Sequence, residues 1–495
     1  MLEERIDNRA RFAFGAGAIP ETLKNVAWDM FVLFYFTQVL GLSGMLAGLA
    51  IGISLVVDAV IDPWVGTLSD SMRSTRLGRR QRLMAISVLP FGVAFALLFA
   101  PPAGLTDIGL FVWLVVFAII CRAAISLFTI PYYALQVELS RSPLERPLLA
   151  SFRQVSTAIG RFGLPFIAFT FFFAATPEFA NGQLRPEAYP MFGLSIALVA
   201  MVLMVLCIIG TNPRSLEIDR NASDRNADDA KFDPPSLLTT VKQIIEALRC
   251  TPNVRRHILL GVAMFVSLGI LSVYTLHLST YYWKLTPEEI RNVSIALSPG
   301  TLLAALCARL FVPRFEKKKI MMVCIAVYAM AVLVPIFGPM MNLFPQPNDA
   351  LQTPLLILFK FLGGLGYGAF LVTTATVACD IADELELNVG APRQALLSSF
   401  TFFTMGAASA IVNIAAGAFL DIIGFPAGAN IETLPVEVVN KLAIFTGIII
   451  LGACALVVFI VSRMDISRGK QRRINEKLSD RYAAQKKQSE ETAPV

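Results

Sequence analysis

The sequence predicts an all-α membrane protein with twelve transmembrane helices, arranged as two bundles of six. Of its 495 residues, 56% are hydrophobic and only 16% are charged, and the mean hydropathy is +0.65. Soluble domains carry roughly 25% charged residues. Apolar stretches long enough to cross a bilayer recur along the chain, and a polar segment near the middle divides them six and six. These observations exclude a chain made of soluble domains.

A membrane-spanning helix needs about 20 predominantly apolar residues. By this criterion we predict twelve spans, at 14–41, 45–68, 83–101, 108–137, 149–174, 190–212, 257–282, 293–312, 320–341, 354–387, 394–425 and 442–462. The longest of these spans are expected to tilt or to extend beyond the bilayer.

The basic residues predict the orientation of the spans. If both termini are cytoplasmic, the cytoplasmic segments hold 32 of the 42 Lys and Arg residues, and the outer loops hold four. This asymmetry is a strong positive-inside signal. We therefore expect a multi-pass protein of a bacterial inner membrane with both termini in the cytoplasm. The net charge of +6 reflects these loops and does not indicate nucleic-acid binding.

Four segments follow from this organisation. We predict a first six-helix bundle at 1–212, a cytoplasmic linker at 213–256, a second six-helix bundle at 257–462 and a cytoplasmic tail at 463–495. The linker is too polar to bury a core. The tail is highly charged, and we expect it to be solvated rather than to form an amphipathic helix on the membrane surface.

Two carboxylates lie four residues apart within the second span. On a helix this spacing places Asp58 and Asp62 on one face, about 6 Å apart along the axis. A carboxylate in hydrocarbon costs at least ~2.5 kcal/mol, and two like charges repel unless a cation or a proton joins them. The pair therefore predicts an ion-coupling site in a transporter.

Three further spans of the first half carry polar stripes at helical spacing. They comprise Glu21, Lys24, Asn25, Trp28 and Asp29 in span 1, Arg122, Ser126, Thr129 and Tyr133 in span 4, and Arg153, Thr157 and Arg161 in span 5. One interpretation is a set of structural ion pairs that hold the bundle together. The other is a polar cavity for a cation and a hydrophilic substrate, which the converging acids and hydroxyls favour.

The second half has fewer charges within its spans. Lys360 lies deep in span 10, where it needs a partner or a water-filled cavity. The glycines of 363–368 favour close helix contact, because no strand or phosphate-binding loop accompanies them. Asp380 and Asp383 end this span at the cytoplasmic side. We expect a cytoplasmic gate in which the ends of spans 2 and 10 pair, formed by Asp70, Arg79, Arg80, Asp380 and Asp383, with Arg393 as a further partner. The alternative is that these are solvated helix ends.

Motifs for other kinds of chemistry are missing from the sequence. The seven cysteines show no metal-binding spacing and are interpreted as packing residues. His277 is interpreted as structural rather than as a proton relay. No nucleotide loop or catalytic triad is found. We therefore expect neither an enzyme nor a cofactor, and a monomer whose partners are the bilayer and a small-molecule substrate.

Several motifs together resemble one known family. They are Asp58-Ala-Val-Ile-Asp62-Pro-Trp-Val-Gly66 with the following Arg73-Ser-Thr-Arg76-Leu-Gly78-Arg79-Arg80, Ile130-Pro131-Tyr-Tyr-Ala134-Leu135 with Glu138, and Asp380-Ile-Ala-Asp383. Over essentially its whole length the chain resembles the glycoside–pentoside–hexuronide:cation symporters, the melibiose-permease-like branch of the major facilitator superfamily.

The resemblance implies a major-facilitator fold and a symporter driven by Na⁺ or H⁺. It assigns the coupling cation to Asp58, Asp62 and the hydroxyl of Ser126, with Thr129 at the position where the melibiose carriers have an acid. Tyr133 replaces a tryptophan of those carriers, and Arg153 is retained. The implied substrate is a sugar, glycoside, uronate or similar polar solute. The alternatives are a lysolipid or amphiphile carrier and, in another class, a transport-inactive membrane sensor.

The predicted substrate-binding residues are eight of the other polar side chains within the spans. They are Glu21, Lys24, Asp29, Arg122, Tyr133, Arg153, Arg161 and Lys360.

Overall fold

The computed structural model describes residues 6–72, 77–139, 145–223, 246, 248–249, 251–389 and 394–491. Helices make up the regular structure of these residues. They are α1 (Asn8–Ala16), α2 (Ala18–Ala27), α3 (Gly44–Ser71), α4 (Arg79–Leu98), α5 (Asp107–Leu139), α6 (Glu145–Ile167), α7 (Ala188–Ser223), α8 (Pro252–Val273), α9 (Thr275–His277), α10 (Pro287–Ile295), α11 (Leu297–Phe311), α12 (Lys317–Phe337), α13 (Gln352–Val389), α14 (Gln394–Ile422), α15 (Val436–Arg463) and α16 (Arg468–Glu491). The predicted all-α class is confirmed.

Eleven helical segments of the described part are long and apolar enough to cross a membrane. They correspond to predicted spans 2 to 12. The first predicted span differs, because α1 and α2 are followed by two π-helical segments, Trp28–Val32 and Tyr35–Val39. A π segment changes the helical phase, so no single α-helix of spanning length forms here. Residues 8–39 are nevertheless helical almost without interruption.

The predicted segment boundaries fall inside helices. Helix α7 continues past residue 212 to Ser223, and α8 begins at Pro252, before residue 257. Proline at the first turn suits a helix start, because its missing N–H would lack a partner there in any case. The four-segment division stays a prediction. Below, the N-terminal half means residues up to 223, and the C-terminal half means 252–463.

The two halves make their closest contact where α3 crosses α14. A Cβ atom on Gly417 would lie 2.1 Å from the carbonyl oxygen of Gly44, and one on Gly48 would lie 2.6 Å from that of Asn413. Only glycine allows two backbones to approach so closely. Next to this crossing, Asp421 accepts hydrogen bonds from the N–H groups of Gly44 at 2.8 Å and Met45 at 2.9 Å. A carboxylate from one half thereby caps a helix of the other.

The charged tail forms a helix that docks on the C-terminal half. Ile474 and Leu478, one turn apart on α16, are buried. Lys470 forms an ion pair with Glu384 at 2.7 Å, and the Gln471 amide donates to Asp383 at 2.9 Å. The expectation of a solvated tail is wrong for this stretch, because two apolar side chains and a row of acids on α13 give α16 a surface to bind.

Replacing Leu478 by Ser is expected to release the tail helix. The substitution removes a buried apolar side chain, a change that typically costs about 2 kcal/mol or more. Hydrogen exchange of the α16 amides should then accelerate by more than about tenfold. The matched control is Lys477→Ser on the exposed side of the same helix. Equal exchange rates in both variants would show that Leu478 does not hold the tail.

Candidate functional site

Asp58 lies at the centre of a hydrogen-bonded group inside the N-terminal half. Arg122 donates from Nη1 to Asp58 Oδ2 at 3.0 Å, and the Ser126 hydroxyl donates to Asp58 Oδ1 at 3.2 Å. Arg122 also donates from Nε to the Ser54 hydroxyl at 3.1 Å. The ring of Trp28 covers the guanidinium at 4.4 Å. The structure thus brings Asp58 and Ser126 together as predicted, and adds Arg122, which the sequence analysis had assigned to substrate.

Asp62 lies one helical turn further along α3 and is exposed. Val60 and Trp64, two residues before and after it, are 71% and 62% exposed and belong to an apolar outward stripe. At 100° per residue, Asp62 points to the side opposite this stripe. Its exposure is therefore towards the protein interior, which indicates an open, solvated cavity beside it.

A second polar group forms beside the first. The Tyr133 hydroxyl donates to Glu21 Oε2 at 2.5 Å, and the guanidinium of Arg153 lies 5.2 Å from the Tyr133 ring centre. Tyr133 is 41% exposed although it lies within α5. Three predicted substrate residues from three different elements therefore share one surface of the cavity.

Two further predicted residues, Lys24 and Asp29, lie within electrostatic reach of these groups. Lys24 is buried and within electrostatic reach of Arg122, Asp58 and Glu21. Asp29 is similarly close to Lys24, Arg122 and Arg161.

Three predicted residues remain. Arg161 lies within electrostatic reach of Tyr367 of the C-terminal half. Thr129 is buried on α5 near Ser126. For Lys360 no ion pair is recorded among the described residues. Within the described part of the chain, no group of three or more His, Cys, Asp or Glu side chains could hold a metal ion.

The predicted gate residues pair within their own halves. We call the end of the molecule that carries α16 the tail-side face. There, Arg79 and Arg80 form ion pairs with Glu138 at 2.7 and 2.6 Å, and Lys317 pairs with Asp380 at 2.5 Å. Asp383 binds Gln471, as described above. The side chain of Asp70 and all of Arg393 lie outside the described residues. Pairing between the halves stays a prediction.

The Glu138 ion pairs predict a pH-dependent contribution to stability. Burial acts to raise the pKa of Glu138, but the guanidiniums of Arg80 and Arg79 outweigh it and lower the pKa below its usual value of 4.5. A carboxyl with a depressed pKa stabilises the fold above its unfolded-state pKa, and this stabilisation is lost as the pH falls through the folded-state pKa.

We therefore expect Glu138→Gln to lower the free energy of unfolding at pH 7 by about 1–2 kcal/mol. The difference from wild type should shrink as the pH is lowered below 4.5. Thermal unfolding in detergent across this range provides the measurement, with Glu432→Gln in an exposed loop as the control. A difference that stays constant with pH would show that the carboxylate charge is not responsible.

The face opposite the tail is closed by bonds between the halves that the sequence analysis missed. We call it the far face. Tyr281 donates to the Gln38 side chain at 3.0 Å, the Gly428 N–H donates to the Thr37 carbonyl at 3.0 Å, and His277 Nε2 lies 3.4 Å from Thr37 Oγ1. Sequence spacing could not pair residues some 240 positions apart. The glycine repeat Gly44-x-x-x-Gly48 was a usable signal for the neighbouring crossing.

The contacts between the halves at the far face, together with the exposure of side chains that point inwards, show at which face the cavity is open. Arg161 is exposed, and it lies two residues from Ile159 of another apolar outward stripe, so like Asp62 it points inwards. Asp62 is nearer than Asp58 to the tail-side end of α3. The cavity is therefore closed at the far face and open towards the tail-side face.

Two helical halves around a charged interior, closed at one face, form the architecture of a secondary transporter. The chain belongs to the MFS/sugar transport protein family, whose model matches residues 13–468. This membership confirms the fold and class that the sequence motifs implied.

Two relatives and one solved structure illustrate the similarity. The putative glycoside/cation symporter YagG of Escherichia coli (strain K12) is 25% identical over 484 residues, covering 96% of this chain and 95% of that protein. The isoprimeverose transporter of Lactiplantibacillus pentosus is 23% identical, covering 82% and 79%. The crystal structure of a D-xylose-proton symporter superposes with a TM-score of 0.61 at 13% identity, covering 93% of this chain and 98% of that one. At this identity the structural likeness shows the fold alone.

Proposed function

We propose that the protein is a monomeric cation-coupled symporter that imports a sugar, glycoside, uronate or similar polar solute by alternating access. The observation that carries this proposal is the carboxylate pair of α3 beside a solvated interior. Asp58 is held by hydrogen bonds, whereas Asp62 is exposed to the cavity. Acids retained inside a membrane are expensive and are typical of ion pathways.

The positive-inside distribution assigns the two faces to the two sides of a bacterial inner membrane. The tail-side face carries the basic loops and is cytoplasmic, so the far face is outside and the conformation is inward-open. To reach the outward-open state, the protein must break the contacts that Thr37, Gln38 and Asp421 make between the two halves. The coupling cation and the solute then bind between the halves, and the far face closes again to release both inside.

The polar residues of the cavity suit a hydroxylated solute. Arg153 and Arg161 present planar donors, and Glu21 with Tyr133 presents an acceptor and a hydroxyl. Lys24 and Asp29 are within electrostatic reach of this group, Lys24 of Glu21 and Asp29 of Arg161. We assign Lys360 of α13 to the same site. The names of the relatives, which point to a glycoside and to isoprimeverose, support a solute of this kind.

Uptake into proteoliposomes tests the proposal. Purified protein would be reconstituted and offered isoprimeverose, other xylosides and glucosides, glucuronate and lysophosphatidylcholine, each under an imposed Na⁺ gradient, an imposed proton gradient or neither. We expect concentrative uptake of one or more polar solutes only with a cation gradient. Selective uptake of lysophosphatidylcholine would instead identify an amphiphile carrier. Specific binding of a solute without any transport would indicate a sensor and contradict the proposal.

A further inference from the structure

We propose that the guanidinium of Arg122 serves as a tethered cation at Asp58, so that Na⁺ is excluded from this carboxylate in the native protein. This inference rests on the proposed function, because it concerns the cation site of a symporter. It makes Arg122 a residue that determines ion specificity rather than a substrate ligand.

The first argument is that both oxygens of Asp58 are already bound. Oδ2 accepts from Arg122 at 3.0 Å, and Oδ1 accepts from Ser126 at 3.2 Å. The carboxylate thus has a positive partner and a hydroxyl donor, which together meet the need of a negative charge within the membrane. An added Na⁺ at Asp58 would lie directly beside the guanidinium, and the two like charges would repel.

The second argument is that Arg122 is fixed in place. Its Nε donates to the Ser54 hydroxyl at 3.1 Å, and the Trp28 ring covers its flat face at 4.4 Å. The side chain is 8% exposed, compared with 21% for Asp58. An arginine held by a hydrogen bond, a ring and a carboxylate does not move aside readily for a mobile ion.

The third argument is the balance of charge along the cavity. Its predicted site residues in the N-terminal half comprise four bases and four acids, namely Lys24, Arg122, Arg153 and Arg161 with Glu21, Asp29, Asp58 and Asp62. Their formal charges sum to zero, but they are not paired one to one. Asp58 has Arg122 as its ion-pair partner, and a Na⁺ ion there would add a positive charge next to Lys24 and Arg122. Asp62 is exposed and forms no ion pair with another described residue, so it is the carboxylate that a mobile coupling cation can reach.

Na⁺-dependent stability of purified protein tests this inference without any substrate. Thermal unfolding would be followed by tryptophan fluorescence in NaCl and in choline chloride at equal ionic strength. Arg122→Gln removes the tethered charge and should gain a rise in melting temperature that saturates with Na⁺. Adding Asp58→Asn to this variant should abolish the gain. Wild type and Arg122→Lys, which keeps the charge, should show no Na⁺ response that depends on Asp58.

The matched control is Arg153→Gln, the same chemical change in the same cavity away from Asp58, and it should gain no Na⁺ response. Saturable binding of ²²Na⁺ to the wild type that is lost with Asp58→Asn would overturn the proposal, whatever Arg122→Gln does. So would a folded Arg122→Gln variant whose response to Na⁺ is no larger than that of the wild type. Either outcome would leave cation-coupled uptake itself intact, and a failure of the uptake assay would leave these binding results unaffected.

Discussion

Asp62→Asn is expected to abolish gradient-driven accumulation of solute while leaving the fold intact. Asp62 is exposed to the cavity and forms no ion pair with another described residue. The Ser126 hydroxyl lies within its hydrogen-bonding reach, and an asparagine keeps an acceptor for it. Neutralising Asp62 therefore removes the mobile-cation site at little cost to the fold. We expect accumulation to fall to the level set by simple equilibration, with a melting temperature close to that of the wild type.

Asp58→Asn is expected to behave differently, because it leaves the Arg122 guanidinium without its partner. Removing one member of a buried ion pair typically costs about 3–5 kcal/mol, and the partial exposure of Asp58 reduces this cost. Both accumulation and thermal stability should therefore fall.

Solute exchange separates ion coupling from solute binding in Asp62→Asn. Solute exchange at equal concentrations on both sides does not require a cation gradient, and it should persist in Asp62→Asn. The control is Asp349→Asn, which changes an exposed loop acid on the far face. Full concentrative uptake by Asp62→Asn would refute the coupling role of this residue.

Much of the fold and part of the site could be predicted from the sequence. Apolar length located eleven spans, because a bilayer imposes a minimum helix length. Spacing of four residues placed Asp58 and Asp62 on one helix, and the motifs added Ser126. The shared face of Asp58 and Asp62 is local and follows from helical periodicity, whereas Ser126 entered through the family resemblance.

The features that escaped prediction depend on how distant helices are rotated against one another. Arg122 shares a stripe with Ser126, but only the packing of α5 on α3 directs it to Asp58. The bond between Gln38 and Tyr281 joins the two halves of the chain. The docking surface of α16 also arises from tertiary contacts. A periodic pattern gives the face of a helix but not its partner.

Gly417→Leu is expected to force the far face apart and to stop transport. The Cβ of any larger residue at 417 would lie 2.1 Å from the carbonyl oxygen of Gly44 and 2.8 Å from the Cα of Gly48. These contacts are with backbone atoms, so no side-chain rotation relieves them. Closure of the far face should become unfavourable, and the population should shift towards the state in which α3 and α14 are separated there.

Spin labels at Ile108 and Val436 would measure this shift. Both residues are exposed, and they lie at the far-face starts of α5 and α15, one in each half. In Gly417→Leu the distance between the labels should lengthen, and solute uptake should be lost because the far face no longer closes. Gly452→Leu is the matched control, since a Cβ there meets no atom within 4 Å. If Gly417→Leu kept the wild-type distance distribution and transported normally, the glycine crossing would not be the seal between the halves.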